Sequence, residues 1–579
     1  MKNIRYITFL LLGIFAMSCS DDLLDKLPED EISPEQYWKT PNDLALFLNQ
    51  FYTTFPVHNG WNGGIFEFDN NSDNLADVSI NTRFVGSNNT APTSDGTWNG
   101  NYSNIRNVNY YLENSATAEG PDDLINAYNG EAYFFRAMFY FELLQKFGGV
   151  PYIDKVLNTD SPELMSARIP RNELATKIIE DLDRAIAGLQ PKASTEAFRV
   201  HRGMALALKS NVALYEGTWE KYHEGTPFAA PTNESTKFLQ WAADAAETLI
   251  NEGNYTLYNN GEENTYWSLF NKVDYSGVSE VMFWKKYDTS EGVDHRVGHY
   301  IPQNGAGTGV TKSLVDSYLS IDGLPIGVSL LYSSSQESSL SDIVVNRDPR
   351  LAQTIATPGD LITERAGNPD IFFDYPTFRE NNEVVSTTGY QIYKGGSTDE
   401  AQRTESTIGA IIYRYAEVLL NYAEAKAELG TLTQADLDNT VNLLRARVGM
   451  PSLTLTPVAD PNKAFPELSD LINEIRRERR VEMALEGKRF DDLMRWKADH
   501  LIIGKRHQGF KIVGSDMESE FADLIGSSIL VNDEGYIDPY INALPTGFGF
   551  NPNRDYLSAI PSEQIVLTGG VVTQNPGWE

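Results

Sequence analysis

Few positions in this 579-residue chain have the residue types and spacing that chemistry needs. Cys19 is its single cysteine. One thiol allows no intrachain disulfide and no cysteine-based zinc site. His295 and His299 stand four apart, a spacing that puts two imidazoles on one helix face. No Glu follows His295, and Gly298 weakens a helix between them. Gly305 to Ser313 has the glycine content of a phosphate-binding loop. It fails both templates, because Lys312 does not follow a glycine and Val310 stands where the last dinucleotide-binding glycine belongs. That segment reads as a loop leading into a helix at 311–319. Asp69 to Asp73 starts like a calcium loop, with oxygen ligands at alternate positions. Asn74 replaces the required Gly and Ile80 the closing Glu, so an EF-hand is ruled out and only a nonstandard structural calcium stays open. No G-x-S-x-G elbow occurs. Among 80 Asp and Glu no catalytic pair can be singled out.

The chain carries 29 Tyr, 27 Phe and 9 Trp, and most of these rings must fill a core. A sugar ring, with one apolar face and a hydroxyl edge, needs exposed rings beside planar hydrogen-bonding groups. Residues 58–101 hold both. Trp61 sits among Asn and Gly, with Asp73 and Arg83 following and Trp98 and Asn101 opening the next helix. Tyr300 and His299, just before the glycine loop, are further candidates. Trp98 has an equal claim on the core, since it shares a helical face with Tyr102 and Ile105. Trp267, Trp284 and Trp496 read as core.

The formal charge of −33 argues against nucleic acid, whose affinity comes mainly from Lys and Arg. It also favours a neutral ligand over an acidic one, unless Arg and Lys cluster locally. At the start, Lys2 and Arg5 precede an apolar run from Ile7 to Met17, too short to span a bilayer. Residues 1–18 therefore read as a secretory signal peptide. The segment ending at Ser18-Cys19 resembles a lipobox, which makes Cys19 the acylated first residue of the mature chain. Acyl chains there would anchor it to a membrane at about 0.8 kcal/mol per buried CH₂. Ser20-Asp21-Asp22 resembles a surface-export signal.

The elements that must position these residues are mainly helical. Residues 19–40 read as an extended tether, and 41–579 as a single body. Its helical scaffold is expected at 41–55, 98–251 and 411–497. Within it, helices are predicted at 98–112, 121–147, 171–189, 199–217, 235–251, 411–429, 433–448 and 467–497. Loop-rich segments are expected at 56–97 and 253–410, the latter with a few short strands, and an irregular tail at 498–579. The helices come in adjacent pairs with small residues such as Ala132, Ala213 and Ala423, a pattern similar to tetratricopeptide pairs. The charged run Arg476 to Glu482 mixes signs at helical spacing and reads as a salt-bridged helix face. Arg136, Glu417 and Glu424 read as scaffold too.

Several motifs occur together: Asp21 to Asp25 after the lipobox, Glu131 to Ala137 continuing to Lys146-Phe147-Gly148-Gly149, Tyr413 to Leu420, Glu478 to Glu482 with Glu486 to Phe490, and Ile560-Pro561 near the end. In combination they closely resemble the SusD/RagB family of Bacteroidetes nutrient-uptake lipoproteins, over nearly the whole mature chain. The resemblance implies a mainly α, SusD-like fold and no enzymatic activity. It implies a glycan-binding lipoprotein on the outer-membrane surface that acts as the lid of a SusC-like TonB-dependent barrel. The alternative is a RagB-like lid that captures peptides. It also places Trp98 and Asn101, and with them Asp73 and Arg83, in the part of the chain where the family contacts sugar.

Overall fold

The computed structural model describes residues 37–578 apart from 59, 88–89 and 380–383. The expected signal peptide, Cys19 and most of the tether lie outside the described residues.

The body begins at a capping box. The backbone N–H of Thr40 donates to the Asp43 carboxylate at 2.8 Å, and Asp43 N–H donates back to Thr40 Oγ1 at 3.4 Å. Pro41 takes the first position of α1 (Pro41–Leu48). The scaffold continues in α2 (Gly96–Asn114), α3 (Asp122–Phe147), α4 (Arg171–Gly188), α5 (Arg202–Tyr222) and α6 (Ser235–Glu252). Each of α2 to α6 packs against the next in sequence. The α3–α4 crossing is close because two glycines meet there. A Cβ on Gly188 would lie 2.4 Å from the Asn126 carbonyl oxygen, and one on Gly130 would lie 2.9 Å from Leu189 Cγ.

The chain then leaves the stack through the insert at 253–410 and returns. The last scaffold helix before it, α6, packs directly on the first one after it, α7 (Tyr415–Glu428). Next come a turn of helix at Gln434–Asp438, α8 (Val441–Arg447), α9 (Asp470–Glu482) and α10 (Arg489–Arg495). Among the described residues there are four short strands: β1 (Val281–Lys285), β2 (Leu361–Thr363), β3 (Ile371–Phe372) and β4 (Ala410–Arg414). β1 pairs antiparallel with β4, and β2 with β3.

Three helix boundaries differ from expectation. The helix predicted from 411 starts as strand β4, where Ala410, Ile411, Tyr413 and Arg414 pair with β1 before α7 begins at Tyr415. The single helix predicted at 433–448 is two. The one predicted at 467–497 breaks after Glu482, because Leu485 and Gly487 take left-handed conformations (φ +67° and +72°). The insert and tail, irregular as expected, are not loosely attached. Phe510, Ile512, Phe521 and Ile537 from the tail bury themselves with Tyr266, Trp284, Tyr318 and Ile355 from the insert in a second hydrophobic core.

The charged run of α9 is salt-bridged, as expected, and it is also buried: Arg476, Glu478, Arg479, Arg480 and Glu482 are all shielded from solvent. Glu482 accepts from Arg447 at 2.6 and 2.7 Å, from Arg414 at 2.7 Å and from Arg350 at 3.0 Å. Glu478 accepts from Arg350 at 2.6 Å and Arg445 at 2.8 Å. Glu280 bridges Arg414 and Arg447 at 3.1 Å each. The network thus ties α9 to α8, to β1, to the residue preceding α7 and to the insert. The scaffold readings of Arg136 and Glu424 match what is seen, since Arg136 pairs with Asp181 at 2.7 Å and Glu424 with Arg495 at 2.8 Å. Glu417 lies 3.0 Å from Lys488.

Buried charges are costly when one partner is removed, about 3–5 kcal/mol, because the remaining charge is left in the interior. Glu482→Ala leaves three arginines short of their common anion and should destabilise the chain by about that much. Lys177→Ala, which breaks an exposed pair with Glu180, should cost under about 1 kcal/mol. Urea unfolding of both variants checks the contrast; equal, small losses would contradict it.

Candidate functional site

A cleft of about 620 Å³ opens where four parts of the chain converge: the 3₁₀ turn Gly64–Asn71, the short helix Thr82–Val85, the facing sides of α2 and α3, and the first turn of α10. Asn81 builds one wall. Its side chain accepts from Arg83 N–H at 2.9 Å, which starts the short helix, and donates to the Asn71 carbonyl at 2.9 Å, which fixes the neighbouring loop. This delivers Arg83 to the cleft. Its Nε donates to the Asp555 carbonyl at 2.5 Å, and its guanidinium lies 5.1 Å from the centre of the Phe490 ring. Its Nη2 is buried and has no hydrogen-bond partner among the described residues. Burial lowers the pKa of this guanidinium to about 10, which still leaves it charged at neutral pH.

The opposite wall is carboxyl and amide. Glu142 accepts from Asn101 at 3.0 Å, and Asp491 accepts from Gln145 at 2.8 Å. Burial raises the Glu142 carboxyl. Burial, with the adjacent Asp492 charge, pushes Asp491 up to about 6. Lys146 is held aside by Asp95 at 2.8 Å. Phe68 lines the cleft and is 43% exposed. The wall therefore offers an exposed ring, planar amides and an arginine edge, the groups that suit a polyhydroxylated ring.

Trp61 stands apart from the cleft, ahead of the 3₁₀ turn. It is 63% exposed, with Arg296 5.2 Å from its ring centre and His299 edge-on at 5.7 Å. His58 and His295, both buried, have their ring centres 4.7 Å apart with the planes tilted by 41°. His58 Nδ1 accepts from Ile65 N–H at 3.3 Å, His295 Nδ1 accepts from Val297 N–H at 3.2 Å, and His295 Nε2 donates to the Ile408 carbonyl at 2.9 Å. These bonds need neutral imidazoles. Burial holds His295 at about 4 and His58 well below its ordinary value. The geometry leaves no metal role for His295.

Of the seven sequence candidates, the structure exposes Trp61, leaves His299 half-buried beside it and brings Arg83 into the cleft. The other four are buried. Trp98 is 4% exposed, with its ring centre 5.0 Å from that of Tyr102 and 5.2 Å from that of Phe147, so it is core. Asn101 lies one layer behind the cleft and positions Glu142. Asp73 is locked to Arg489 at 2.6 and 2.9 Å and to Arg480 at 3.2 Å, and despite burial these cations hold its carboxyl well below the usual range. Tyr300 is buried at the edge of the second core. Asp69 Oδ2 accepts from Asn74 at 2.9 Å and from Leu485 N–H at 2.8 Å, whereas its buried Oδ1 has no hydrogen-bond partner among the described residues. The glycine loop at 305–309 packs against 384–388. A Cβ on Gly305 would meet Ser386 N at 2.0 Å, and one on Gly309 would meet Thr388 Oγ1 at 2.2 Å. The sequence reading missed Phe68, Asn81, Glu142, Gln145 and Asp491. Only Phe68, an aromatic in a polar stretch, gave a signal like that of Trp61.

The fold is mainly helical, and no helix among the described residues is long and apolar enough to cross a membrane. The SusD family model matches residues 238–578, and a family described as starch-binding associating with outer membrane matches 22–214. The chain belongs to the SusD family. It is 24% identical to SusD-like protein P2 of Formosa agariphila, covering 99% of each chain. A SusD-like protein of Bacteroides fragilis superposes with a TM-score of 0.70 at 25% identity, covering 95% of this chain and 99% of that one. A SusD-like carbohydrate-binding protein of the same species gives 0.70 at 21% identity, with 92% and 99% covered.

Two outcomes follow. Trp98→Ala should cost about 3–5 kcal/mol of stability through the cavity it leaves, whereas Trp61→Ala should unfold like the parent; thermal melts of the two variants compare them. The second concerns acid. The unfolded chain protonates its histidines near pH 6.5, but folded His201, His295 and His507 take up protons only near pH 4. Their stabilisation is complete above pH 6.5 and is lost as pH falls toward 4, by up to about 1.4 kcal/mol per pH unit for each. Melting at pH 7, 5.5 and 4.5 should show a steady decline; a flat profile would contradict it.

Proposed function

We propose that the chain is a cell-surface lipoprotein, anchored through acylated Cys19, that captures oligosaccharide in the cleft. It then passes the sugar to a SusC-like TonB-dependent transporter in the outer membrane and acts as the transporter's lid. The observation that carries the ligand reading is the unpartnered Nη2 of Arg83, set beside Phe490 and across from Glu142 and Asp491. A buried donor without a partner is a site waiting for an acceptor, and a hydroxyl supplies one. The family description in terms of starch and the outer membrane, and the carbohydrate-binding relative in Bacteroides fragilis, support glycan over the peptide alternative. The two carboxyls of the cleft serve as hydrogen-bond acceptors for hydroxyls, and the reading is binding without cleavage. They also make a neutral sugar the better guest in the cleft itself.

Affinity electrophoresis against a panel of polysaccharides tests this. One of them should retard the parent chain, and Arg83→Ala or Phe68→Ala should weaken that retardation at least tenfold. Retardation by none, with peptides recovered from the purified complex, would favour the RagB-like alternative. Solubilisation in mild detergent should copurify an outer-membrane barrel, and recovery of this chain alone would count against the lid role.

A further inference from the structure

A second cavity lies on the other side of the first turn of α10. Phe490 and Asp491 wall the cleft described above, whereas Arg489 walls this one. Its volume is about 480 Å³, within the range of small-ligand sites, roughly 300–1,000 Å³. On a chain of net charge −33 its wall is locally cationic.

Three carboxylates reach the wall, and each is already engaged. Asp73 is held by Arg489 and Arg480, Asp316 by Lys312 at 2.7 Å, and Asp460 by Arg477. Three more cations remain. Arg506 is drawn back to Asp538 at 2.8 Å. Lys505 is exposed and makes no ion pair with a described residue. Arg476 is buried; its Nη2 reaches Glu428 at 3.2 Å, but its Nε and Nη1 have no hydrogen-bond partner among the described residues. Aromatic rings fix this guanidinium, with Phe465 and Trp496 centred 4.3 and 4.4 Å from it and Tyr222 at 4.7 Å. Phe465 is itself pinned, because Asn473 bonds its backbone N–H and carbonyl at 2.9 Å each. A guanidinium held in place with two unpaired donors, Nε and Nη1 on different edges of its plane, can give a charge-assisted hydrogen bond to an oxyanion, and a concave wall of one sign focuses the field that draws such a group in.

We propose that this cavity is an oxyanion site for a sulfate or carboxylate group, with Arg476 as its fixed donor and Lys505 as its exposed one. The overall acidity of the chain disfavours polyanions at most of its surface; this cavity is the local exception. The site does not depend on the cleft taking a sugar.

Isothermal titration of the full chain in mild detergent at low ionic strength, with sodium sulfate and with D-glucuronate, tests it. At least one anion should bind saturably, with affinity falling as NaCl rises from about 20 to 200 mM. Lys505→Glu, a surface change, should weaken binding at least tenfold while leaving the melting temperature unchanged. Arg476→Lys, which keeps the charge but removes the Nε and Nη1 donors, should weaken it as well. Glucose 6-sulfate binding more tightly than free sulfate would assign the site to a substituent on a sugar; equal affinity would assign it to the free anion. No saturable binding of either anion, or binding indifferent to both substitutions, would overturn the proposal. Anion binding without polysaccharide retardation would sink the glycan reading and keep this one, and the reverse would do the opposite.

Discussion

The architecture rests on Glu482, a carboxylate without contact with solvent that three arginines share. Each arginine comes from a different part of the chain: Arg350 from the insert, Arg414 from the end of β4, Arg447 from α8. Desolvating so many charges is expensive, and a hydrophobic cluster of similar volume would serve stability as well or better. An ionic centre adds direction. Every guanidinium needs acceptors in its own plane, so the segments carrying them can dock in one relative orientation. That is how an irregular insert with little secondary structure takes a definite place beside a helix stack.

Around that centre the fold divides its labour. The α2–α7 stack is a continuous apolar core, closed by small residues and glycines at its crossings. The insert and tail form a second core. The cleft lies in the first turn of α10 and its surroundings, and its polar side chains are oriented by groups one layer deeper: Asn101 behind Glu142, Asn81 beside Arg83. Of the residues that looked like ligand contacts in the sequence, Asn101 is part of that second layer, whereas Trp98 belongs to the core and Asp73 to the wall of the other cavity.

The helical scaffold was legible because amphipathic periodicity, caps and glycine stops are local signals, and five helices from α2 to α6 lie within a few residues of where the pattern puts them. The boundaries that failed depended on tertiary partners. Residues 411–414 look helical in isolation and become a strand because β1 lies beside them. The charge pattern of α9 was visible, but alternating Arg and Glu look the same whether water or other side chains surround them; burial is a property of the neighbours. The cleft was half legible. Trp61 and Arg83 stand in polar sequence that could not bury them all, whereas Glu142 and Asp491 belong to helices whose other faces are core, and nothing local says which face opens.

Because α6 packs directly on α7, the insert begins and ends at nearly the same place. Closing a longer excursion between fixed ends is a weak entropic burden, about 0.6 kcal/mol for each doubling of length. Its size is therefore almost unconstrained. Its attachment is not: Arg350 must return to the Glu478–Glu482 pair, or two buried anions lose a counter-charge. A lineage could thus lengthen or shorten the loops of this segment, so long as Arg350, Glu280 and the side chains of the second core keep their places.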